Sequence, residues 1–241
     1  MNTTSLSRQH LIFDADDTLW ENNTHFEQLI EEFIDFVDHA HLNRDEVRAV
    51  LDEVERANRI AHGYGARAFA RNLRLTLHQV TECDEDDPRL DAVEELGLRI
   101  LEQELEIIPE VVETLDRLGQ RHTLYLLTKG DQEEQQLKID RSGLVEHFTA
   151  AIIVAEKTPE SYHTVVARFG LDPATTWMIG NSPKSDINPA LAAGINAVFI
   201  PHPQTWRLEV EELAQPGQGQ GRLVELASFA ELAGVFGPGL P

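Results

Sequence analysis

Short apolar runs that break off into polar or acidic residues alternate along this chain with longer amphipathic stretches. The first, His10-Leu-Ile-Phe-Asp14, has too few residues for a helix and reads as a buried strand. Residues 123–127, 151–154, 176–179 and 197–200 repeat the pattern, and helix-length segments such as 109–118 and 160–169 lie between them. Strand alternating with helix predicts an α/β fold, a Rossmann-like parallel sheet with right-handed crossovers and helices on both faces. In such sheets ligands bind beyond the carboxyl ends of the strands, so the residues just after each run are the ones to inspect.

The alternation is interrupted once. Phe26, Leu29, Ile30, Phe33 and Val37 recur at helical spacing. Asn43 with Glu46 forms a capping-box start for a second helix carrying Val47, Val50, Leu51 and Val54. Phe69, Leu73 and Leu77 mark a third helix, and residues 90–105 a fourth. The pattern predicts an all-helical domain, residues 21–106, inserted into a core made of residues 1–20 and 107–241. Near the end, Gln215-Pro-Gly-Gln-Gly-Gln-Gly221 reads as a flexible connector. Beyond it, residues 222–226 could add an edge strand, and Ser228 with Glu231 could cap a last short helix. No internal repeat is visible.

Composition narrows the partners. The 241 residues are 41% hydrophobic and 26% charged, the profile of a globular protein. Forty-two acidic against 20 basic residues give a formal charge of −22, which argues against nucleic acid and anionic membrane surfaces, since both demand a basic face. The single cysteine, Cys83, excludes an internal disulfide framework and a cysteine-based zinc site. The first nine residues lack the apolar stretch of a signal peptide, and no apolar run approaches the ~20 residues that span a bilayer. The expectation is a cytoplasmic protein, monomeric or homodimeric.

The strand ends hold the candidate chemistry. The first run ends in Asp14-Ala-Asp-Asp-Thr18, where Asp14 and Asp16 can offer oxygen to a hard cation. Carboxylates placed together repel and favour a metal or a shared proton. The second ends in Thr128-Lys129-Gly130, a hydroxyl and backbone N–H groups that suit an anionic oxygen. Lys157 follows the third run, and Gly180-Asn181-Ser-Pro-Lys-Ser-Asp186 follows the fourth with two more oxygen ligands. Each alone is an ordinary turn. Four consecutive strand ends of this kind describe a site for Mg²⁺ and a phosphoryl group.

Asp14-x-Asp16-x-Thr18, Thr128, Lys157 and Gly180-Asn181-x4-Asp186 resemble, in order, the four motifs of the haloacid dehalogenase (HAD) superfamily, over residues 8–20 and 106–202. The helical insertion resembles its C1-type cap, and residues 13–19 are similar to the opening of its nucleotidase and sugar-phosphatase members. The resemblance implies a Mg²⁺-dependent phosphatase acting on a small phosphorylated metabolite. Asp14 would be the nucleophile that forms an aspartyl-phosphate, and Asp16 the acid and then the base, with a pKa near the operating pH. Thr128, Lys129 and Lys157 would bind the phosphoryl group. Asp14, the backbone carbonyl of Asp16, Asn181 and Asp186 would hold the metal.

Two departures bear on that reading. Asn181 stands where the superfamily commonly has Asp, which keeps an oxygen ligand but loses a negative charge. Asp17 stands where Gly is frequent. Dehalogenating members lack an acid at the Asp16 position, so its presence favours phosphoryl transfer. A phosphomutase or phosphotransferase, and a non-catalytic phosphate-binding module, are the alternatives.

Between residues 56 and 74 the chain carries Arg56, Arg59, Arg67, Arg71 and Arg74 and no acid. Arg67, Arg71 and Arg74 share a helix face. They either pair with neighbouring acidic helices or face the crevice, where Arg67, Arg71 and Tyr64 would contact an anionic substrate. Trp20 suits the core, the crevice or a hinge. A helical cap would exclude water on closing and release product on opening, with hinges near residues 19–23 and 106–109.

Overall fold

A computed structural model of the protein describes residues 8–37, 42–217 and 221–237. Residues 1–7 and 218–220, the latter within the glycine–glutamine connector, lie outside the described residues. The elements, in chain order, are β1 (His10–Phe13), α1 (Asn23–Phe36), α2 (Arg44–His62), α3 (Ala66–Thr81), α4 (Pro88–Leu98), α5 (Val111–Gly119), β2 (Thr123–Lys129), α6 (Gln132–Ser142), β3 (Ala150–Val154), α7 (Pro159–Phe169), β4 (Thr176–Gly180), α8 (Asn188–Ala192), β5 (Asn196–Phe199), β6 (Leu223–Glu225) and α9 (Leu232–Phe236). They fall into two compact units, Met1–Glu21 with Leu105–Pro241, and Asn22–Glu104.

In the first unit the strands form a parallel six-stranded sheet in the order β3-β2-β1-β4-β5-β6. Its α/β architecture is the one the strand–helix alternation predicts. β1 lies between β2 and β4, with Phe13 level with Leu126 on one side and Ile179 on the other. Because of that register, Asp14, Thr128 and Gly180 leave the same edge of the sheet within two residues of one another. The strand order reverses at β1, the place where an open parallel sheet leaves a crevice.

Side chains alternate across the strands with period two. Leu11, Phe13, Leu124, Leu126, Trp177 and Ile179 pack with Val111, Leu115 and Leu118 of α5, Ile139 of α6 and the C-terminal Phe229, Leu232 and Phe236. Ile12, Tyr125, Leu127 and Met178 face the other way, onto Tyr162 and Val165 of α7. Both faces are covered, which is why the strands read as continuous apolar runs.

The helical unit is held by its own cluster, including Leu29, Phe33, Val47, Leu51, Phe69, Leu73, Leu77, Leu90 and Val93. The Asn43–Glu46 capping box starts α2. Gly97 of α4 lies so close to α3 that a Cβ there would sit 2.6 Å from the Ala70 Cα, so only glycine permits this approach. The fourth helix stops short of the predicted residue 105, ending at Leu98 and passing through the 3₁₀ turn Arg99–Glu102.

At the C-terminus β6 joins the sheet edge beside β5. Ser228 precedes the last turn, but its side chain makes no capping bond. Instead Glu231 accepts from the Ala227 N–H at 3.4 Å. No helix among the described residues is long and apolar enough to cross a membrane.

Candidate active site

β1 delivers Asp14 into a buried cluster at the carboxyl edge of the sheet. The Lys157 ammonium, from the loop after β3, reaches Asp14 Oδ1 and lies 2.7 Å from Asp186 Oδ1. Thr18 Oγ1 donates to the other Asp14 oxygen at 3.0 Å, and the Ser182 N–H donates to Asp186 Oδ2 at 2.9 Å. Asp186 occupies a wide π-helical turn, Pro183–Ile187, that folds back on the end of β4. A Cβ on Gly180 would fall 2.3 Å from Asp186 Oδ2, so glycine at this strand end is what lets the carboxylate enter.

Two carboxylates thus share one ammonium. Burial and the nearby Asp186 charge push the Asp14 carboxyl up to about 7, against the pull of Lys157. Burial acts to lower the Lys157 pKa, but Asp14 and Asp186 outweigh it and hold the ammonium charged. With one ammonium for two buried carboxyls, the cluster is short of positive charge. A hard divalent cation fits that deficit and this set of oxygen donors.

Asn181 is buried beside them, its Oδ1 accepting from Thr18 Oγ1 at 3.3 Å and its Nδ2 donating to Thr205 Oγ1 at 3.2 Å. Asp17 adopts φ 60°, the left-handed region, which explains the frequent glycine of the superfamily at this place. Asp tolerates that conformation better than most residues. Asp17, Glu21 and His202 bring possible metal-ligating atoms within 4.8 Å of one another, a grouping that shares no residue with the predicted ligands.

Asp16, two residues from Asp14, is placed differently. Lys138 Nζ donates to its two oxygens at 2.7 and 2.9 Å, Trp20 Nε1 to Oδ1 at 2.7 Å and Gln135 Nε2 to Oδ2 at 3.1 Å. Burial pushes this carboxyl up, but the Lys138 charge and the hydrogen bonds of Lys138, Trp20 and Gln135 together bring it below the ordinary range. In this arrangement Asp16 is held ionised, below the range that the resemblance implies for a group acting as acid and then base. Gln135 Nε2 also donates to the buried Thr128 hydroxyl at 2.5 Å, linking the ends of β1 and β2.

Lys129, expected at the phosphoryl group, has its ammonium 2.6 Å from Glu209 Oε1 and 2.7 Å from Ser185 Oγ. Glu209, on the turn Arg207–Glu209, also accepts from the Ser182 hydroxyl at 2.7 Å and from the Ser185 hydroxyl. Burial raises its carboxyl, and Lys129 with the serines more than reverses that.

In the helical unit, Arg74 pairs with Asp91 at 2.6 Å and Glu94 at 3.5 Å, as the ion-pair reading of the basic stretch predicts. Arg71 Nη1 lies 3.0 Å from His62 Nδ1, and Arg59 Nη1 donates to the half-buried Tyr64 hydroxyl at 3.4 Å. Arg67 is exposed.

Sequence reasoning missed Gln135, Lys138, Thr205 and Glu209. The first two carried a signal: Asp131 caps α6 through the N–H groups of Glu133 and Glu134, and positions 135 and 138 share a face of the helix it starts. For the other two there was none.

The haloacid dehalogenase-like hydrolase family model matches residues 9–194. The phosphoserine phosphatase of Thermus thermophilus is 30% identical over 82 residues, 32% of this chain and 33% of that enzyme, so the match spans about a third of its length. A haloacid dehalogenase-like family hydrolase from Xanthomonas campestris shares the structure at 27% identity and a TM-score of 0.76, covering 95% of this chain and 94% of that one. The 2-haloacid dehalogenase of Pseudomonas syringae shares the fold at 21% identity and a TM-score of 0.56, over 95% and 97% of the two chains. With that match over most of its length, the chain belongs to the haloacid dehalogenase-like hydrolase family.

Proposed function

We propose that the protein is a Mg²⁺-dependent phosphatase that hydrolyses a small phosphomonoester through an aspartyl-phosphate on Asp14. The observation that carries this reading is the buried arrangement of Asp14 and Asp186 on the single ammonium of Lys157. The stretch of similarity to a phosphoserine phosphatase supports the reaction class. The fold alone does not choose it, because a dehalogenase shares it. The carboxyl at position 16 favours phosphoryl transfer over dehalogenation, since a departing alkoxide needs a proton and a halide does not.

In this reading an Asp14 oxygen attacks phosphorus and the ester oxygen leaves with a proton from Asp16. Water, deprotonated by Asp16, then splits the aspartyl-phosphate, so that ester and water become alcohol and inorganic phosphate. Lys157 balances charge on the phosphoryl oxygens and pulls Asp14 toward its carboxylate form. The Thr128 hydroxyl donates a hydrogen bond to the same group. Asp14, Asp186, Asn181 and the Asp16 carbonyl would hold Mg²⁺, which when bound offsets the repulsion between nucleophile and phosphoryl oxygens. Asp16 must leave Lys138 before it can act as an acid. Arg67, Arg71 and Tyr64 of the helical unit are the proposed substrate-selecting residues, and the charge of −22 speaks against nucleic acid or an anionic membrane as partner.

Hydrolysis of p-nitrophenyl phosphate with Mg²⁺ and with chelator tests the proposal. Release should require the metal, vanish in Asp14→Asn, and fall by about 10²–10⁴ in Asp16→Asn. Wild-type release no faster than Asp14→Asn would sink it. One observation, the ion pair that holds Asp16 on Lys138, favours a second reading in which the site binds phosphate without turnover, and the same assay decides between them.

A further inference from the structure

The segment after β5 lies beyond the family match, which ends at residue 194. It is laced onto the turn that carries Asp186. Lys184 Nζ donates to the Leu208 carbonyl at 2.6 Å, Asn188 Nδ2 to the Glu212 carbonyl at 3.0 Å, and the Ala214 N–H to Asn188 Oδ1 at 2.8 Å. Thr205 belongs to the same strap, and its hydroxyl is the group that meets Asn181.

The two ends of an asparagine amide have nearly the same shape, so its surroundings decide which end is oxygen. Thr205 Oγ1 donates to the His202 carbonyl at 3.0 Å, and a carbonyl can only accept. The Thr205 hydroxyl therefore presents lone pairs to Asn181, and only the NH₂ end can answer them. The oxygen end must then face Thr18, whose hydroxyl is also 3.0 Å from Asp14 Oδ2. Nothing on the carboxylate side alone would enforce this orientation. With two carboxylates against one ammonium, the local field favours an N–H pointing inward, the reverse of what a cation needs.

We propose that Thr205 is a positioning residue that holds the Asn181 amide with its oxygen toward Thr18 and Asp14, so that a neutral amide still supplies an oxygen donor to a divalent cation. This rests on the metal-dependent reading above. It also explains how the chain keeps a ligand where the superfamily commonly has a carboxylate. An aspartate at position 181 has oxygen at both ends and would make Thr205 dispensable.

Isothermal titration of Mg²⁺ into the substrate-free protein tests this in wild type, Thr205→Val, Thr205→Ser, Asn181→Asp and the Asn181→Asp/Thr205→Val double variant. Thr205→Val should weaken Mg²⁺ binding by about tenfold, the usual cost of losing the partner that orients a ligand. Thr205→Ser keeps the hydroxyl and should match wild type, and the double variant should match Asn181→Asp alone. Thr205→Ala replaces Thr205→Val throughout where valine prevents folding. Equal Mg²⁺ affinity in wild type and Thr205→Val would overturn the inference while leaving the metal-dependent reading standing. The same loss on the Asn181→Asp background would also overturn it, since the hydroxyl would then act on the loop and not on the amide. A wild-type protein that takes up no Mg²⁺ would overturn both.

Discussion

Asp14 and Asp16 are separated by one residue at the end of the same strand, yet their surroundings push them in opposite directions. Asp14 shares its lysine with a second buried carboxylate, and its carboxyl is raised to about 7. Asp16 has Lys138 bonded to both its oxygens, with Trp20 and Gln135 besides, and its carboxyl is lowered. Asp14 is the more buried of the two, yet burial pushes both carboxyls upward, so it cannot by itself send them in opposite directions. The ratio of cations and donors to carboxylates does. One aspartate is left short of positive charge, the condition for recruiting a metal or an electrophile. Its neighbour is fully satisfied.

The comparison breaks most visibly at Lys157. Replacing it with methionine leaves Asp14 and Asp186 buried without their shared cation. Urea denaturation at pH 7 should show a loss of about 3–5 kcal/mol, the cost of uncovering a buried charge. Saturating Mg²⁺ should restore part of it. An unchanged midpoint would mean that the cluster is not strained in the way the geometry says.

A second effect follows from pH. The folded Asp14 carboxyl is raised from its ordinary value near 4 to about 7, so below both values the carboxyl is protonated folded and unfolded alike and contributes nothing. As pH rises between them the unfolded chain gives up its proton first, and stability is lost. The Mg²⁺-free protein should therefore weaken from about pH 4 to about pH 7 relative to Asp14→Asn, measured as the difference in unfolding free energy between the two. A flat difference across that window would deny that Asp14 is raised.

Much of this was legible in the chain. The strands show as apolar runs because the sheet is covered on both faces, and Asp14, Lys157 and Asp186 converge because parallel register sets their strand ends side by side. α6 was harder to see: among its residues only Gln135 and Ile139 are buried, so it has almost no apolar period. With it went Gln135 and Lys138, and hence the environment of Asp16. Lys129 looked like an anion binder from its place after Thr128. What decides its partner is Glu209, eighty positions away on a 3₁₀ turn without a pattern of its own. A motif tells which residues meet, but the partner that occupies each of them comes from segments no local pattern marks.

The smallest expected effect isolates the Asp16 half of the comparison. Lys138→Met removes the charge that overcomes burial, leaving Trp20 and Gln135 as donors to a desolvated carboxylate. The pair is about a quarter exposed, so the loss at pH 7 should be about 1 kcal/mol, the upper end for an ion pair in contact with solvent. Its pH dependence has the opposite sense to that of Asp14. A lowered carboxyl contributes stability above its unfolded pKa near 4 and loses it as pH falls through the folded value. The gap between wild type and Lys138→Met should therefore narrow as pH falls below about 4, where the Asp14 contribution has already vanished. Urea denaturation of both proteins at pH 7 and pH 3 gives this slope, and the wild type–Asp14→Asn difference gives that of Asp14. Slopes of the same sign would mean that the two aspartates share one electrostatic environment, and that the division drawn here between a cation-starved carboxylate and a satisfied one is wrong.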